Sequence, residues 1–449
     1  MAHFGVVGPA FLSHFTTLGA LAGALAERGH RVTFIHRPDA AAYVRDPRLA
    51  FHAVGADSHP AGTLAASLRL AANPGSPLGL RRVIDDMARS TTMLCETLPG
   101  AIEALGIDAI LADQMEAAGG MVAEALGIPF VSVACALPVN REPGIPLPVM
   151  PFAYGTDERS LKMVEGSTRV YDWMMGPHRR SIEAQSRRLG IPVRGMLHEC
   201  LSPLAQVSQT VAEFEFPRKE LPPHFHHVGP LRPLARNGAT IAGPSLSPLP
   251  AIAADRPFVF ASLGTMQGGR IDLFKRIAKA CRQAGVQLLL AHCGALDARQ
   301  ERELERAGAD WVVAFAPQLA ALERADAVIS HAGWNTIMDA IAAQTPMLAL
   351  PIAFDHPGGA ARVRHAGIGI QASARFTGAG TLARHLRRLL AEPSFRQRLA
   401  PLSASVARAG GTARAADIVE AALGLERVAP PPATCAAPTC AASTCAAPV

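Results

Sequence analysis

The sequence predicts an α/β fold made of two doubly wound parallel sheets that face a cleft. Three observations carry that expectation. The chain opens with an apolar run, a loop, an apolar-periodic segment and a second apolar run; residues 232–255 break the pattern with Pro, Gly, Ser and Ala; and strand–helix alternation then begins again. Two Rossmann-like halves joined by a linker leave a crevice, and open parallel sheets bind ligands in such crevices, outside the carboxyl ends of the strands.

In the first half, residues 3–7 read as a strand, 8–15 as a loop, 16–28 as a helix and 31–35 as the next strand. Thr16 or Thr17 is the expected helix cap and Gly29 the expected left-handed stop, which makes the unit a βαβ crossover. Helix and strand alternate again at 101–105 and 109–112, then at 117–126 and 130–134. In the second half, strands are expected at 258–263, 287–292, 311–315, 327–330 and 347–350, and helices at 271–284 and 335–343. The expected organisation is a unit over 1–231, a linker over 232–255, a second unit over 256–404 and a helix at 405–425 packing back on the first unit. Residues 426–449 repeat Thr-Cys-Ala-Ala at Thr434, Thr439 and Thr444 in a Pro-rich setting, and read as a disordered low-complexity tail.

With 49% hydrophobic and 18% charged residues among 449, the chain can bury a large interior, and 5% aromatics leave that interior to aliphatic and small side chains. The net charge of +6 rests almost wholly on Arg, Lys occurring only at Lys162, Lys219, Lys275 and Lys279, and no basic run has the density of a nucleic-acid tract. Cys95, Cys135, Cys200, Cys281 and Cys293 lack metal-ligand spacing and are expected as buried, reduced thiols. No basic segment precedes the first apolar run, and the apolar stretch 125–139 is Pro-interrupted and too short to span roughly 30 Å of hydrocarbon. The expectation is a cytoplasmic protein, with peripheral contact at the inner face of the cell membrane open to it.

The densest chemistry lies at 331–336, His-Ala-Gly-Trp-Asn-Thr, which leaves a strand and opens a helix. Free backbone N–H groups and the helix dipole there point into the cleft. Gly333 lets the backbone approach closely, and His331, Asn335 and Thr336 add side-chain donors, enough to hold a diphosphate without Lys or a metal. Ser262, Gly264 and Thr265 end the first strand of the second half in a tight turn that suits the same phosphates. His14, in the loop after the first strand, and Asp113, after the strand at 109–112, stand at equivalent ends of two strands. A histidine so placed can take a proton from a bound hydroxyl, and a carboxylate can orient it and stabilise the imidazolium. Asp113 also reads as an N-cap for the next helix. The first loop, Gly-Pro-Ala-Phe-Leu-Ser-His, lacks the G-x-G-x-x-G pattern of dinucleotide dehydrogenases.

The stretch 315–356 is similar to the nucleotide-sugar signature of the large UDP-glycosyltransferase family, which has the form W-x-P-Q, then H-x-G-W-N-[ST], an acidic residue, and D-Q. The resemblance implies the GT-B fold, an acceptor-binding first half, a nucleotide-sugar-binding second half and inverting transfer. It implies that Phe315 stacks on uracil, that Gln318 lies beside the nucleoside, and that Asp339 accepts hydrogen bonds from the ribose hydroxyls. His331, Gly333, Trp334, Asn335 and Thr336 would form the diphosphate seat, with Ser262, Gly264 and Thr265 as the small loop over the phosphates. Asp355 and His356 would meet the sugar. His14 stands where the family carries its general base. Three residues depart from the pattern: Phe315 replaces Trp, Asp339 replaces the commoner Glu, and His356 replaces Gln at a position that helps choose among hexose donors, where His accompanies galactose transfer in some members.

Across nearly the whole chain the sequence also resembles the bacterial zeaxanthin glucosyltransferases, in 3–31, 113–116, 130–138, 140–143, 203–206 and 260–264. That resemblance implies UDP-glucose or a related UDP-hexose as co-substrate, a hydroxylated carotenoid such as zeaxanthin as acceptor, and no cofactor or metal. Ile145, Leu147, Val149, Met150 and Phe152, set among prolines, and the stretch 64–80 are candidates to line an apolar acceptor tunnel, ordinary packing being the other reading. A macrolide, sterol or flavonoid acceptor, a nucleotide-sugar epimerase and a binding protein without turnover are the rival readings. His14 and Asp113 together with the donor signature favour transfer.

Overall fold

The computed structural model describes residues 1–234 and 246–425. The middle of the expected linker and the tail expected at 426–449 lie outside the described residues.

The chain folds into two parallel-sheet α/β domains, as the alternation predicts. The first sheet contains β1 (His3–Val7), β2 (Arg31–His36), β3 (Ala50–Ala53), β4 (Ala109–Asp113), β5 (Phe130–Ala134), β6 (Gln206–Ser208) and β7 (Phe225–His227), in the order β3-β2-β1-β4-β5-β6-β7. Around it lie α1 (Leu12–Glu27), α2 (Leu64–Ala72), α3 (Pro77–Leu105), α4 (Ala117–Leu126), α5 (Glu158–Met174) and α6 (Gly176–Leu189). The second sheet contains β8 (Phe258–Ser262), β9 (Gln287–Ala291), β10 (Trp311–Val313), β11 (Ala327–Ser330), β12 (Met347–Ala349) and β13 (Gly369–Gln371), in the order β10-β9-β8-β11-β12-β13. Its helices are α7 (Gly264–Gln267), α8 (Ile271–Ala284), α9 (Ala298–Ala307), α10 (Gln318–Arg324), α11 (Trp334–Ala342), α12 (His356–His365), α13 (Ala379–Ala391), α14 (Ser394–Arg408) and α15 (Gly411–Ala422).

Central strands read as near-continuous apolar runs because both faces of each sheet are covered. In β1, Phe4 and Val6 join the core beneath α1 with Leu18 and Leu21, whereas Val7 joins Leu98 and Met121 of α3 and α4 on the other face. Each sheet order reverses once, between β1 and β4 and between β8 and β11, and those two switch points are where ligands of open α/β sheets bind.

Two local expectations are corrected. The first helix begins at Leu12, not at 16, with Phe11 as its cap; the hydroxyls of Thr16 and Thr17 bond back to the carbonyls of Leu12 and Ser13 instead of capping. His14 therefore sits in the first turn of α1 and not in a loop. The short helix expected at 101–105 is the end of the 29-residue α3, whose internal Pro99 hid its continuity. Pro99 has no N–H for the carbonyl of Cys95, and the Arg188 guanidinium donates to that carbonyl at 2.5 Å.

α15 returns to the first domain. Ala415, Ala416 and Val419 enter the core beside α1, and Arg28 binds Asp417 at 2.9 Å and Glu420 at 2.6 Å. A second tie is buried: Arg362 of α12 donates through Nε to Glu215 Oε1 of the first domain at 2.6 Å, and its Nη2 lies 2.5 Å from the same oxygen in an ion pair. Phe214 packs on Trp334 with ring centroids 5.7 Å apart, so the domains share core as well as charge.

Candidate active site

At the first switch point, His14 Nδ1 lies 2.7 Å from Asp113 Oδ2. Asp113 is wholly buried and its other oxygen accepts from the Met115 N–H at 2.9 Å, so the carboxylate is fixed from both sides. Gly8 makes this possible, since a Cβ there would stand 2.9 Å from the Asp113 Cβ. The neighbouring helix is capped by Glu116, which accepts from Ala118 N at 3.1 Å, so the cap reading of Asp113 is replaced by a turn bond and a histidine bond. Burial alone would depress the His14 pKa; the charge and hydrogen bond of Asp113, aided by Asp355 across the cleft, outweigh it and raise it above the ordinary 6.5. With Nδ1–H directed at Asp113, Nε2 is the nitrogen left to accept a proton. The Cys135 Sγ also approaches, and the ligand atoms of His14, Asp113 and Cys135 lie within 4.8 Å of one another. Burial holds that thiol well above its ordinary pKa, and each Asp113 oxygen accepts one hydrogen bond.

At the second switch point, β11 ends and α11 begins with Trp334, so the backbone of 333–336 opens toward the cleft. His331 is wedged between two glycines: a Cβ on Gly264 would come within 2.7 Å of its ring and one on Gly333 within 2.3 Å. Gly264 also has φ +72°, so a side chain there is excluded twice over. Burial pulls the His331 pKa down to about 4 and that of His356 well below its ordinary value, with His331 adding to the second effect. Burial thus favours the neutral form of both rings, which meet edge to face with centroids 4.4 Å apart. His356 Nδ1 accepts from the Ala353 N–H at 3.2 Å.

One cavity of about 2970 Å³ joins the two points. His14, Ser262, Gly264, Thr265, Phe315, Gln318, His331, Gly333, Trp334, Asn335, Thr336, Asp355 and His356 all border it. The Trp334 indole nevertheless points into the shared core against Phe214, so its backbone is the part at the helix start. Asp113 and Asp339 stand behind the lining. Asp339 is bound by Gln318 Nε2 at 2.7 Å and by Arg232 through Nε at 3.0 Å and Nη2 at 2.7 Å, so a ribose seeking this carboxylate competes with two protein donors. Asp355 is pushed up by burial, an effect reduced by a long 3.5 Å bond from Leu137 N and by the His14 charge. Of the expected tunnel residues, Leu147, Val149, Met150, Leu64 and Leu80 line the cavity, whereas Ile145 packs with Phe216 and Ala361.

Several cleft residues carried no sequence signal. Arg232 reaches Asp339, and Gln209 Nε2 donates to Asn335 Oδ1 at 3.1 Å and to Cys135 O at 2.8 Å, linking the first domain to α11. Arg270 borders the cavity and donates to Ala72 O at 2.8 Å, which closes the opposite side. Phe11 and Phe354 meet across the cleft beside His14 at 5.9 Å, and Phe354 holds a φ of +54°, a strained conformation of the kind that concentrates at functional sites.

Two parallel sheets with facing switch points define the architecture of two-domain glycosyltransferases, and solved structures agree. The glycotransferase of kitacinnamycin superposes with TM-score 0.71 at 22% identity, covering 94% of this chain and 99% of that one. The glycosyltransferase VinC in complex with dTDP superposes with TM-score 0.65 at 22% identity, covering 94% and 99%. The chain belongs to the family described as UDP-glucoronosyl and UDP-glucosyl transferase, whose model matches residues 6–406, and it is a UDP-glycosyltransferase enzyme. It is 50% identical over 420 residues to the zeaxanthin glucosyltransferase of Pantoea ananas, covering 94% of this chain and 96% of that one. It is 44% identical over 427 residues to the zeaxanthin glucosyltransferase of Pseudescherichia vulneris, covering 94% and 98%.

Proposed function

We propose that the protein transfers a hexose, glucose from UDP-glucose foremost, to the ring hydroxyl of a carotenoid such as zeaxanthin, with inversion at the anomeric carbon. The acceptor is drawn from the names of the two relatives, and the observation that carries the chemistry is the His14–Asp113 pair facing the start of α11 across one cavity. In this reading the acceptor oxygen attacks the anomeric carbon while its proton passes to His14 Nε2. The bond from that carbon to the diphosphate oxygen breaks, and its electron pair leaves with UDP. Asp113 stabilises the imidazolium.

Phe315 and Gln318 hold the base, Asp339 the ribose, and Asp355 with His356 the hexose. Ser262, Gly264, Thr265, His331, Asn335 and Thr336 surround the diphosphate, whose growing charge meets backbone N–H groups and the helix dipole. The proposed route needs no metal or cofactor, because those groups supply the charge stabilisation. No helix among the described residues is long and apolar enough to cross a membrane; we place the reaction in the cytoplasm, at the inner membrane face, because the proposed carotenoid acceptor is held in the bilayer.

The test is to incubate the enzyme with zeaxanthin and either UDP-glucose or UDP-galactose, and to identify products by mass and sugar analysis. Glucosylated zeaxanthin is expected. No product from either donor would overturn the acceptor, and galactoside alone would overturn the donor.

A further inference from the structure

We infer that the outer face of α5, together with the mouth of the cavity, docks on a lipid bilayer bearing anionic headgroups. A surface helix ordinarily turns its apolar stripe inward. In the 17 residues of α5 only Val164 is buried. Met163, Val170 and Trp173 recur at helical spacing on the outward side, with Gly166 between them, and are 40%, 55% and 80% exposed. Val170 and Trp173 also border the cavity, as does Leu80 near the start of α3, so the exposed stripe runs into the entrance.

Charge selects the occupant. α6, which follows α5 directly, carries four arginines against one glutamate, and Arg180 borders the same mouth beside Arg81 and Arg179, which pair with Asp85 and Glu183, while α5 itself balances three basic against three acidic residues. An apolar stripe flanked by arginine is the chemistry of a helix lying in the headgroup region, with Trp at the boundary of water and hydrocarbon. The purpose of the face rests on the proposed acceptor, because a carotenoid would then pass from the bilayer into the cavity without crossing water.

The test is flotation of the full chain with vesicles containing no acceptor, made of phosphatidylcholine alone or with phosphatidylglycerol, at low salt and at about 0.5 M NaCl, where surface charge is screened. Binding is expected to need phosphatidylglycerol, to fall with salt, and to bring quenching of tryptophan fluorescence by brominated lipid. The double variant Val170→Glu/Trp173→Glu should lower partitioning by roughly a hundredfold, the scale of withdrawing two apolar side chains from hydrocarbon. Its melting temperature and UDP affinity should match the parent, because both side chains are exposed. Absence of wild-type binding, equal binding by the variant, or a wild-type dimer that the variant dissociates would each overturn the proposal. Transfer to zeaxanthin in detergent, scored on the same preparations, reports the acceptor separately: vesicle binding without transfer removes the acceptor and keeps the docking face, and transfer without vesicle binding does the reverse.

Discussion

Replacing Asp113 by Asn keeps volume and burial while removing one acceptor. The carboxylate receives His14 Nδ1–H at 2.7 Å on one oxygen and the Met115 N–H at 2.9 Å on the other. An amide has a single carbonyl oxygen, so either Met115 loses its partner or His14 faces an NH₂ group and must turn its lone pair toward it. In the second case Nε2 carries the proton and His14 is no longer a base. Losing general-base catalysis costs about 10² to 10⁴ in turnover, or roughly 2.7 to 5.4 kcal/mol of barrier. The orphaned N–H costs about 1 to 3 kcal/mol of stability in the first case.

The pH profile tests the loss of the Asp113 charge, which both cases share. His14 must be neutral to act, and its folded pKa is raised above 6.5, so wild-type kcat/KM should fall on the acid side at a pH above 6.5. The ion pair likewise stabilises the fold fully below 6.5, and that contribution is lost as pH rises through the raised value. Without the Asp113 charge, burial prevails and the acid limb should move below 6.5. The assay is kcat/KM against pH with a fixed UDP-sugar and acceptor. A limb that stays in place, with rates within about threefold of wild type, would refute the catalytic role of the pair.

Asp339→Ala should weaken UDP binding by about 1.5 to 3 kcal/mol, the range for hydrogen bonds to a charged group, read by calorimetry. It also frees Arg232 and Gln318, so an unchanged affinity would mean that Asp339 serves only to hold those two side chains. His356→Gln should raise the kcat/KM ratio of UDP-glucose over UDP-galactose by about 1 kcal/mol, because an amide presents donor and acceptor differently from a neutral imidazole; a shift toward galactose would refute the assignment. Arg362→Ala should cost about 3 to 5 kcal/mol in denaturant unfolding, since it leaves the Glu215 carboxylate buried beside only the more distant Arg218. Burial would raise the Glu215 pKa, but Arg362 and Arg218 bring it below 4.5, so the parent should lose this stability as pH falls through that lowered value.

The strands around both switch points and the helix start after β11 were legible because their signals are local. Residues 117–126, 130–134, 271–284 and 327–330 have the same bounds in sequence pattern and structure, the two helices being apolar periods closed by the left-handed Gly127 and Gly285. The start of α1 misled because Thr16 and Thr17 resemble caps, whereas the real first turn begins after Phe11 with no side-chain cap. Pro99 concealed the length of α3 for a similar reason. In the cleft, His331 to Thr336 were readable as one segment, and His14 and Asp113 by their place at strand ends. Arg232, Gln209, Arg270 and the Phe11–Phe354 pair were not, because each acquires its place only when the two domains meet.

The most direct measurement of the account is the anomeric configuration of the glycosidic bond formed from an α-linked UDP-hexose, read by NMR on product from wild type and from His14→Ala. Single displacement with His14 as base predicts a β-glycoside, and turnover about 10² to 10⁴ lower in the variant with UDP affinity nearly unchanged. An α-glycoside, or equal turnover by His14→Ala, would contradict it.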